Sequence, residues 1–263
     1  MKNYTYGNLI KFEKDGDIGI VAFDNAEKFN TITHSFFEEL IALRKDLLFR
    51  NDLRAIAIVS NGKYFSAGFD ISYLNTISTA TVKNESTMMQ RAYNTFQEIS
   101  IPVVVGVQGV CYGSAMEIIL ACDIRILADN ARLAILEVKY GLAPDLGGTT
   151  RLTKLVGPGQ AKRLIMGCDE IDAQEAKMIG LAEIVVPLAD LREYTINYAK
   201  KMAAFPPSAQ RFAKKGINLA VESSVAAGLL FEEAQATYCC GTEDLREATK
   251  AFLEKRKPVF HDK

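Results

Sequence analysis

Histidine is nearly absent: His34 and His261 are the only two in 263 residues. A histidine-bound metal or a Ser-His-Asp triad needs an imidazole held among other ligands or beside a nucleophile, and neither residue offers that. His34 stands where a helix begins, in Thr33-His-Ser-Phe-Phe-Glu-Glu-Leu40, and reads as a surface residue, while His261 falls in the tail. The cysteines at 111, 122, 168, 239 and 240 form no C-x-x-C pair and no metal-ligand spacing. They read as free thiols, mostly small core residues, and no metal is expected. With a formal charge of −1 and acids and bases interspersed, no basic tract suggests nucleic acid and no acidic tail suggests a decoy. The opening Met1-Lys-Asn-Tyr-Thr-Tyr-Gly7 lacks the apolar stretch of a secretory signal, and no apolar run approaches a membrane span. The expectation is a soluble cytoplasmic protein with no membrane or nucleic-acid partner. At 49% hydrophobic residues it can bury a large core as one domain, or one domain plus an appendage.

What the chain does hold is three acids in unsuitable company. Glu117 interrupts the apolar run Gly113-Ser-Ala-Met-Glu-Ile-Ile-Leu-Ala-Cys-Asp123. Glu137 ends the stretch Ala131-Arg-Leu-Ala-Ile-Leu136, and Asp145 lies in Gly141-Leu-Ala-Pro-Asp-Leu-Gly-Gly148. A buried carboxylate without a partner costs several kcal/mol or stays protonated, so such acids point to acid/base chemistry.

The periodicity changes along the chain. Leu9 to Asp24 alternates apolar and polar residues around Asp15-Gly16, which predicts a hairpin. A helical period runs from Thr33 to about Arg50, and Arg54-Ala-Ile-Ala-Ile-Val-Ser60 reads as a strand covered on both faces. A loop of small residues, 61–68, precedes a helix from about Val82 to Ser100 that Ile101-Pro102 stops. Val103–Val107 reads as a strand, the Glu117 segment as a helix, and Asp123–Leu136 as two strands around Ala128-Asp-Asn-Ala131. Beyond Gly147 the pattern is almost wholly helical, near 147–155, 158–167, 172–180, 189–204, 206–221, 223–238 and 242–254, with one strand at Glu183–Val186. This order predicts an α/β fold. The composition shift ending in Phe205-Pro-Pro207 suggests a core over residues 1–200 and a helical region over 201–263.

Four segments, in order, resemble the enoyl-CoA hydratase/isomerase (crotonase) superfamily. Lys63-Tyr-Phe-Ser-Ala-Gly-Phe-Asp-Ile71 is similar to its first oxyanion segment. Pro102-Val-Val-Val-Gly-Val-Gln-Gly-Val-Cys-Tyr-Gly-Ser-Ala-Met-Glu117, followed by Ala121-Cys-Asp-Ile-Arg125, is similar to its second. Gly141-Leu-Ala-Pro-Asp-Leu-Gly-Gly-Thr-Thr-Arg-Leu152 and Ala251-Phe-Leu-Glu-Lys-Arg-Lys-Pro258 resemble two later signatures. The resemblance covers nearly the whole chain. It implies a spiral of ββα units with a C-terminal helical region used in trimers or dimers of trimers. It also implies an acyl-CoA thioester substrate and no separate cofactor, CoA being part of that substrate.

By motif position, the resemblance makes the backbone N–H groups of Ala67 and Ser114 the donors to a thioester oxygen that turns negative as an enolate forms. Lys28, Lys63, Gly68, Phe69, Asp70, Ile71 and Gly113 are expected along the CoA and substrate path, together with Ala67 itself. Lys255 is expected to reach the CoA phosphates of a neighbouring subunit. Ser114 departs from the family's usual glycine, and its hydroxyl either occupies space near the thioester or adds a donor. Glu117 and Glu137 fall where the hydratases carry glutamates, with Glu137 read as the proton donor to the α-carbon and Glu117 as the water-orienting base. Asp145 stands where hydratases usually have glycine and dienoyl-CoA isomerases have aspartate, although those isomerases carry aspartate at the place of Glu117. Three readings follow: a hydratase of trans-2-enoyl-CoA, a double-bond isomerase working through Glu137 and Asp145, or a non-catalytic acyl-CoA binder. Apart from any chemistry, Pro144-Asp145 also reads as a turn and a cap for the helix after Gly147.

Overall fold

The computed structural model describes residues 3–263. Chain order gives β1 (Asn3–Thr5), β2 (Ile10–Asp15), β3 (Ile18–Phe23), α1 (His34–Leu47), β4 (Ala55–Ser60), α2 (Ile71–Leu74), α3 (Thr79–Glu98), β5 (Val103–Val107), β6 (Val110–Tyr112), α4 (Ser114–Ile119), β7 (Ile124–Ala128) and β8 (Arg132–Ala134). Then follow α5 (Gly148–Met166), β9 (Ile171–Asp172), α6 (Ala173–Met178), β10 (Ile184–Val186), α7 (Leu191–Ala203), α8 (Pro207–Ala220), α9 (Val225–Cys240) and α10 (Glu243–Leu253).

The expected hairpin pairs β2 with β3 in antiparallel register, Asp15 opposite Ile18. From β3 onward the main sheet is parallel, in the order β1-β2-β3-β4-β5-β7-β10. A second sheet, β6-β8-β9, runs beside it. Each turn of the chain lays one strand in the main sheet, a short strand or bridge in the second layer, and then a helix. Thus β4 is followed by the Ser66–Cys111 bridge and by α2 and α3, β5 by β6 and α4, and β7 by β8 and α5. This is the predicted α/β spiral of ββα units.

Two-residue periodicity splits the main sheet between two cores. Ile56 and Ile58 of β4 join Phe37, Leu40, Tyr93 and Phe96 on one face. Ala55, Ala57 and Val59 join Leu191, Ala199 and Ala203 of α7 on the other. Strands covered on both faces read as continuous apolar runs, which is why β4 and β5 were legible. The short β6 was not, since three residues carry no period. The stretch 147–167 divides as expected: Gly157, at φ 76° and ψ 164°, leaves helical geometry, so α5 is two helical segments meeting at a kink, with Pro158 opening the second.

Beyond Pro206, α8 is pinned to the core by Lys214. Its buried ammonium donates to Phe96 O at 2.8 Å and Ile101 O at 3.0 Å, and pairs with Asp123 at 2.8 Å. The helices α9 and α10 leave Val225, Leu229, Leu230, Phe252 and Leu253 exposed. Among the described residues no helix is long and apolar enough to cross a membrane.

Candidate functional site

Two glycine-dependent close approaches assemble the site. Gly68 adopts φ 84° and packs so tightly on the β6–α4 junction that a Cβ there would lie 2.5 Å from Tyr112 O. The two expected oxyanion segments are thereby joined back to back. Gly148, the first residue of α5, has no room for a side chain either: a Cβ would meet Pro144 at 2.6 Å and Glu117 Oε1 at 2.9 Å.

The first segment donates differently from the expectation. The Ala67 N–H is committed to Phe29 O at 3.0 Å, so Ala67 is not the free donor its motif position suggested. Gly68 N–H goes to Ser66 Oγ at 3.1 Å. The parallel bridge between Ile32 and Phe69 uses Ile32 N–H to Gly68 O and Asp70 N–H to Ile32 O, both 2.9 Å. That pattern turns the intervening Phe69 N–H away from the ladder, without an acceptor among the described residues. Ser114 N–H, at the first position of α4, is likewise free, as helix-opening amides are.

The acids lie beside these amides. Glu117 is 1% exposed, and its Oε1 accepts from Leu146 N–H at 2.9 Å and Gly148 N–H at 2.8 Å. Its Oε2 has no partner. Glu137 opens a short 3-10 turn after β8 and is 8% exposed, with both carboxyl oxygens unpartnered. Its Oε1 comes within 3.1 Å of where a Cβ on Gly113 would sit, next to the Ser114 amide. Burial first, and then the charge of Glu137, push the Glu117 carboxyl up to about 8, against the two backbone donors that favour its ionised form. Burial and the charge of Asp145 raise Glu137 as well. Both carboxyls are thus pushed toward their neutral forms, and they titrate as a coupled pair that shares a proton near neutral pH.

Glu39 shows what a purely structural buried acid looks like in the same chain. Both its oxygens are occupied, by the N–H groups of Asn8, Leu9 and Ile10 at 2.8–3.3 Å. Glu117 is half occupied and Glu137 is unoccupied.

Asp145 lies on the rim. The residue is exposed, yet its carboxyl is raised by partial burial, and its charge acts on Glu137. It does not cap α5: Gly147 is the N-cap with no side-chain bond, and the Glu117 carboxylate receives the first amide of that helix. A cleft of about 940 Å³ between α3, α5 and α8 reaches the site at Asp145–Gly147 but contains neither glutamate. Asp70 spends one carboxyl oxygen as cap of α2, accepting from Ser72 and Tyr73 N–H. Ile71 is exposed beside it. Lys28 and Lys63 are exposed near the first segment, with Lys63 over the Tyr64 ring at 5.1 Å and the Phe29 ring tilted against it, centroids 5.5 Å apart. Lys255 is exposed on the turn after α10, in left-handed conformation with φ 54°. His34 is partly exposed and within reach of Glu38 and Glu85.

Residues 13–263 match the family described as Enoyl-CoA hydratase/isomerase. The chain belongs to the enoyl-CoA hydratase/isomerase family. It is 32% identical over 253 residues to a short-chain-enoyl-CoA hydratase of Clostridium acetobutylicum, covering 95% of this chain and 96% of the relative. It is 30% identical to a crotonyl-CoA hydratase of Syntrophomonas wolfei, covering 98% of this chain and all of that protein. The crystal structure of an enoyl-CoA hydratase from Bacillus anthracis superposes with a TM-score of 0.93 at 30% identity, over 97% of this chain and 100% of that one. The crotonase fold expected from the motifs is the fold of this family member.

Two elements escaped sequence reasoning. The Phe69 amide has no side-chain signature, and only the Ile32–Phe69 bridge identifies it as free. Tyr93 sits in the stripe Met89, Ala92, Tyr93, Phe96 on α3, a spacing that reads as core.

Proposed function

We propose that this protein is an enoyl-CoA hydratase, adding water across the α,β double bond of a 2-enoyl-CoA thioester. The observation that carries this reading is the pair Glu117–Glu137, buried with three unpartnered oxygens beside two free backbone amides. The Phe69 and Ser114 N–H groups receive the thioester oxygen as charge develops on it; Phe69 takes the role first read onto Ala67. Glu137 adjoins Gly113 and hence the thioester end, which supports it as the donor to the α-carbon. Glu117, held from behind by Leu146 and Gly148, points its free oxygen further along the acyl chain, toward the β-carbon. Water oxygen bonds to the β-carbon, its proton passes to Glu117, and the shared proton of the pair leaves Glu137 for the α-carbon. Both carboxyls exchange roles in the reverse reaction, so no external acid or oxidant enters.

CoA enters as part of the substrate. Lys28, Lys63 and the Phe29–Tyr64 pair offer cations and aromatic faces suited to its phosphates and adenine. The exposed apolar faces of α9 and α10 support assembly with further copies of the chain, as a trimer or dimer of trimers, which gives Lys255 a neighbour's CoA to meet. Five unpaired cysteines support a reducing, cytoplasmic setting.

Mass spectrometry of the protein incubated with crotonyl-CoA in heavy-oxygen water tests the reading. The expected product carries one labelled oxygen. A second reading, double-bond isomerisation, is favoured by Asp145, whose raised carboxyl lies within electrostatic reach of Glu137. Conversion of a dienoyl-CoA with no uptake of label is its signature.

A further inference from the structure

Tyr93 on α3 and Ser114 at the start of α4 bring two hydroxyls into the same enclosed space as the glutamates. Tyr93 has no exposed surface and Ser114 is 1% exposed. The Ser114 hydroxyl lies close enough to the phenol to act on it, but hydrogen-bond geometry is not met, and neither oxygen has a partner. Among the described residues ten buried side-chain polar atoms lack a partner, and five of them meet here: Tyr93 Oη, Ser114 Oγ, Glu117 Oε2 and both Glu137 oxygens. A folded interior seldom strands one such atom, so five together mark a space that a polar ligand fills.

The Tyr93 ring cannot swing out to find water. It stacks on Phe37 at 5.5 Å with 28° between the planes, and both rings are fully buried. Burial, and then the charge of Glu117, hold the phenol well above its ordinary pKa. It is therefore neutral, and able to donate, wherever the glutamate pair works.

The donor–acceptor balance names the ligand atom. Water held by two carboxyls directs its hydrogens to their oxygens and one lone pair to the β-carbon. Its remaining lone pair calls for a donor, which the ionised carboxylate cannot be and which the protonated one cannot supply while its proton is directed to the α-carbon. We propose that Tyr93 is a water-positioning residue, its hydroxyl donating to the oxygen that joins the β-carbon, with Ser114 Oγ beside it completing the polar wall. The inference rests on the hydratase reading. No bond to Tyr93 forms or breaks, so the proton balance of the reaction is unchanged.

Tyr93→Phe removes only the hydroxyl. On crotonyl-CoA its kcat is expected to fall about 10- to 100-fold with KM within about threefold of wild type. A binding measurement separates contact from mere packing. In a Glu137→Gln background, where turnover is suppressed, 3-hydroxybutyryl-CoA is expected to bind about tenfold more tightly than butyryl-CoA, and adding Tyr93→Phe abolishes that preference. Ser114→Ala, which keeps the backbone amide, is expected to reduce the preference in the same direction, and it carries the test if the tyrosine variant fails to fold. Wild-type kcat together with an intact preference in folded Tyr93→Phe overturns the role of Tyr93 alone. A wild type that hydrates no enoyl-CoA defeats the hydratase reading and this inference with it.

Discussion

Glu117 Oε1 accepts the Gly148 N–H at 2.8 Å, so an acid on α4 closes the first amide of α5. The bond uses one carboxyl oxygen for architecture and leaves the other for chemistry. It also ties the position of a candidate catalytic group to a residue that tolerates no side chain, because a Cβ on Gly148 would press on Pro144 and on Glu117 itself.

Gly148→Ala should therefore act at a distance from the substrate. Overpacking of this kind costs about 1–3 kcal/mol, and the Glu117 carboxylate must move to admit the methyl. The expected result is a Tm lower by several degrees and a kcat reduced at least about tenfold. Native melting and native turnover in this variant would refute the coupling.

The glutamates are expected to serve turnover rather than affinity. Glu117→Gln and Glu137→Gln should each lower kcat on the order of a hundredfold or more while saturated acyl-CoA binds within a few fold of wild type. Titration calorimetry beside steady-state kinetics checks both halves. Wild-type turnover in both variants would end the hydratase mechanism and favour the binding-only reading.

The raised Glu117 carboxyl makes a signed prediction for pH. Unfolded, this group titrates near 4.5; folded, it titrates near 8. Between those values the folded chain keeps a proton that the unfolded chain has released. The stabilising contribution is full below about 4.5 and is lost as pH rises toward 8. Glu117→Gln keeps its neutral amide throughout, so its Tm relative to wild type should climb as pH moves from 5 to 9, by about 2–4 °C for each kcal/mol. Turnover of wild type should decline above about 8 as the pair loses its shared proton. Parallel melting curves for the two proteins across this range would contradict the raised value.

Lys214 anchors α8 through two backbone carbonyls and Asp123. Lys214→Met leaves that carboxylate enclosed without its cation, and breaking a buried pair in this way costs about 3–5 kcal/mol. Proteolysis within α8 to α10 should accelerate, and thermal unfolding should begin there. Protection unchanged from wild type would show that the helical region is held by other contacts.

Much of the site was legible because it is written in side chains that violate their surroundings. Glu117 in an apolar run and Glu137 at the end of another announce themselves. Glu39 did not, since it sits on an amphipathic helix where acids are ordinary, and its three backbone donors come from residues 8–10, about thirty positions earlier. Asp145 was read as a cap or as a catalytic acid. The cap belongs to Glu117, a choice made by the packing of α4 against α5 and invisible to local pattern.

Sequence by itself determined the strands and helices long enough to show a period, the α/β order, and the glutamates, because these are properties of side-chain type and spacing. Tertiary structure alone decided which amides are free and which oxygens are left unpaired. Backbone N–H groups look alike in every residue; the Phe29 carbonyl engages Ala67, and the parallel bridge at Ile32–Phe69 turns the Phe69 amide free. The Tyr93 hydroxyl reads as core and that of Ser114 as a neighbour of the thioester, and only the fold buries both beside the glutamates. Hydrogen-bond satisfaction is a sum over neighbours in space, and the chain's order does not list them.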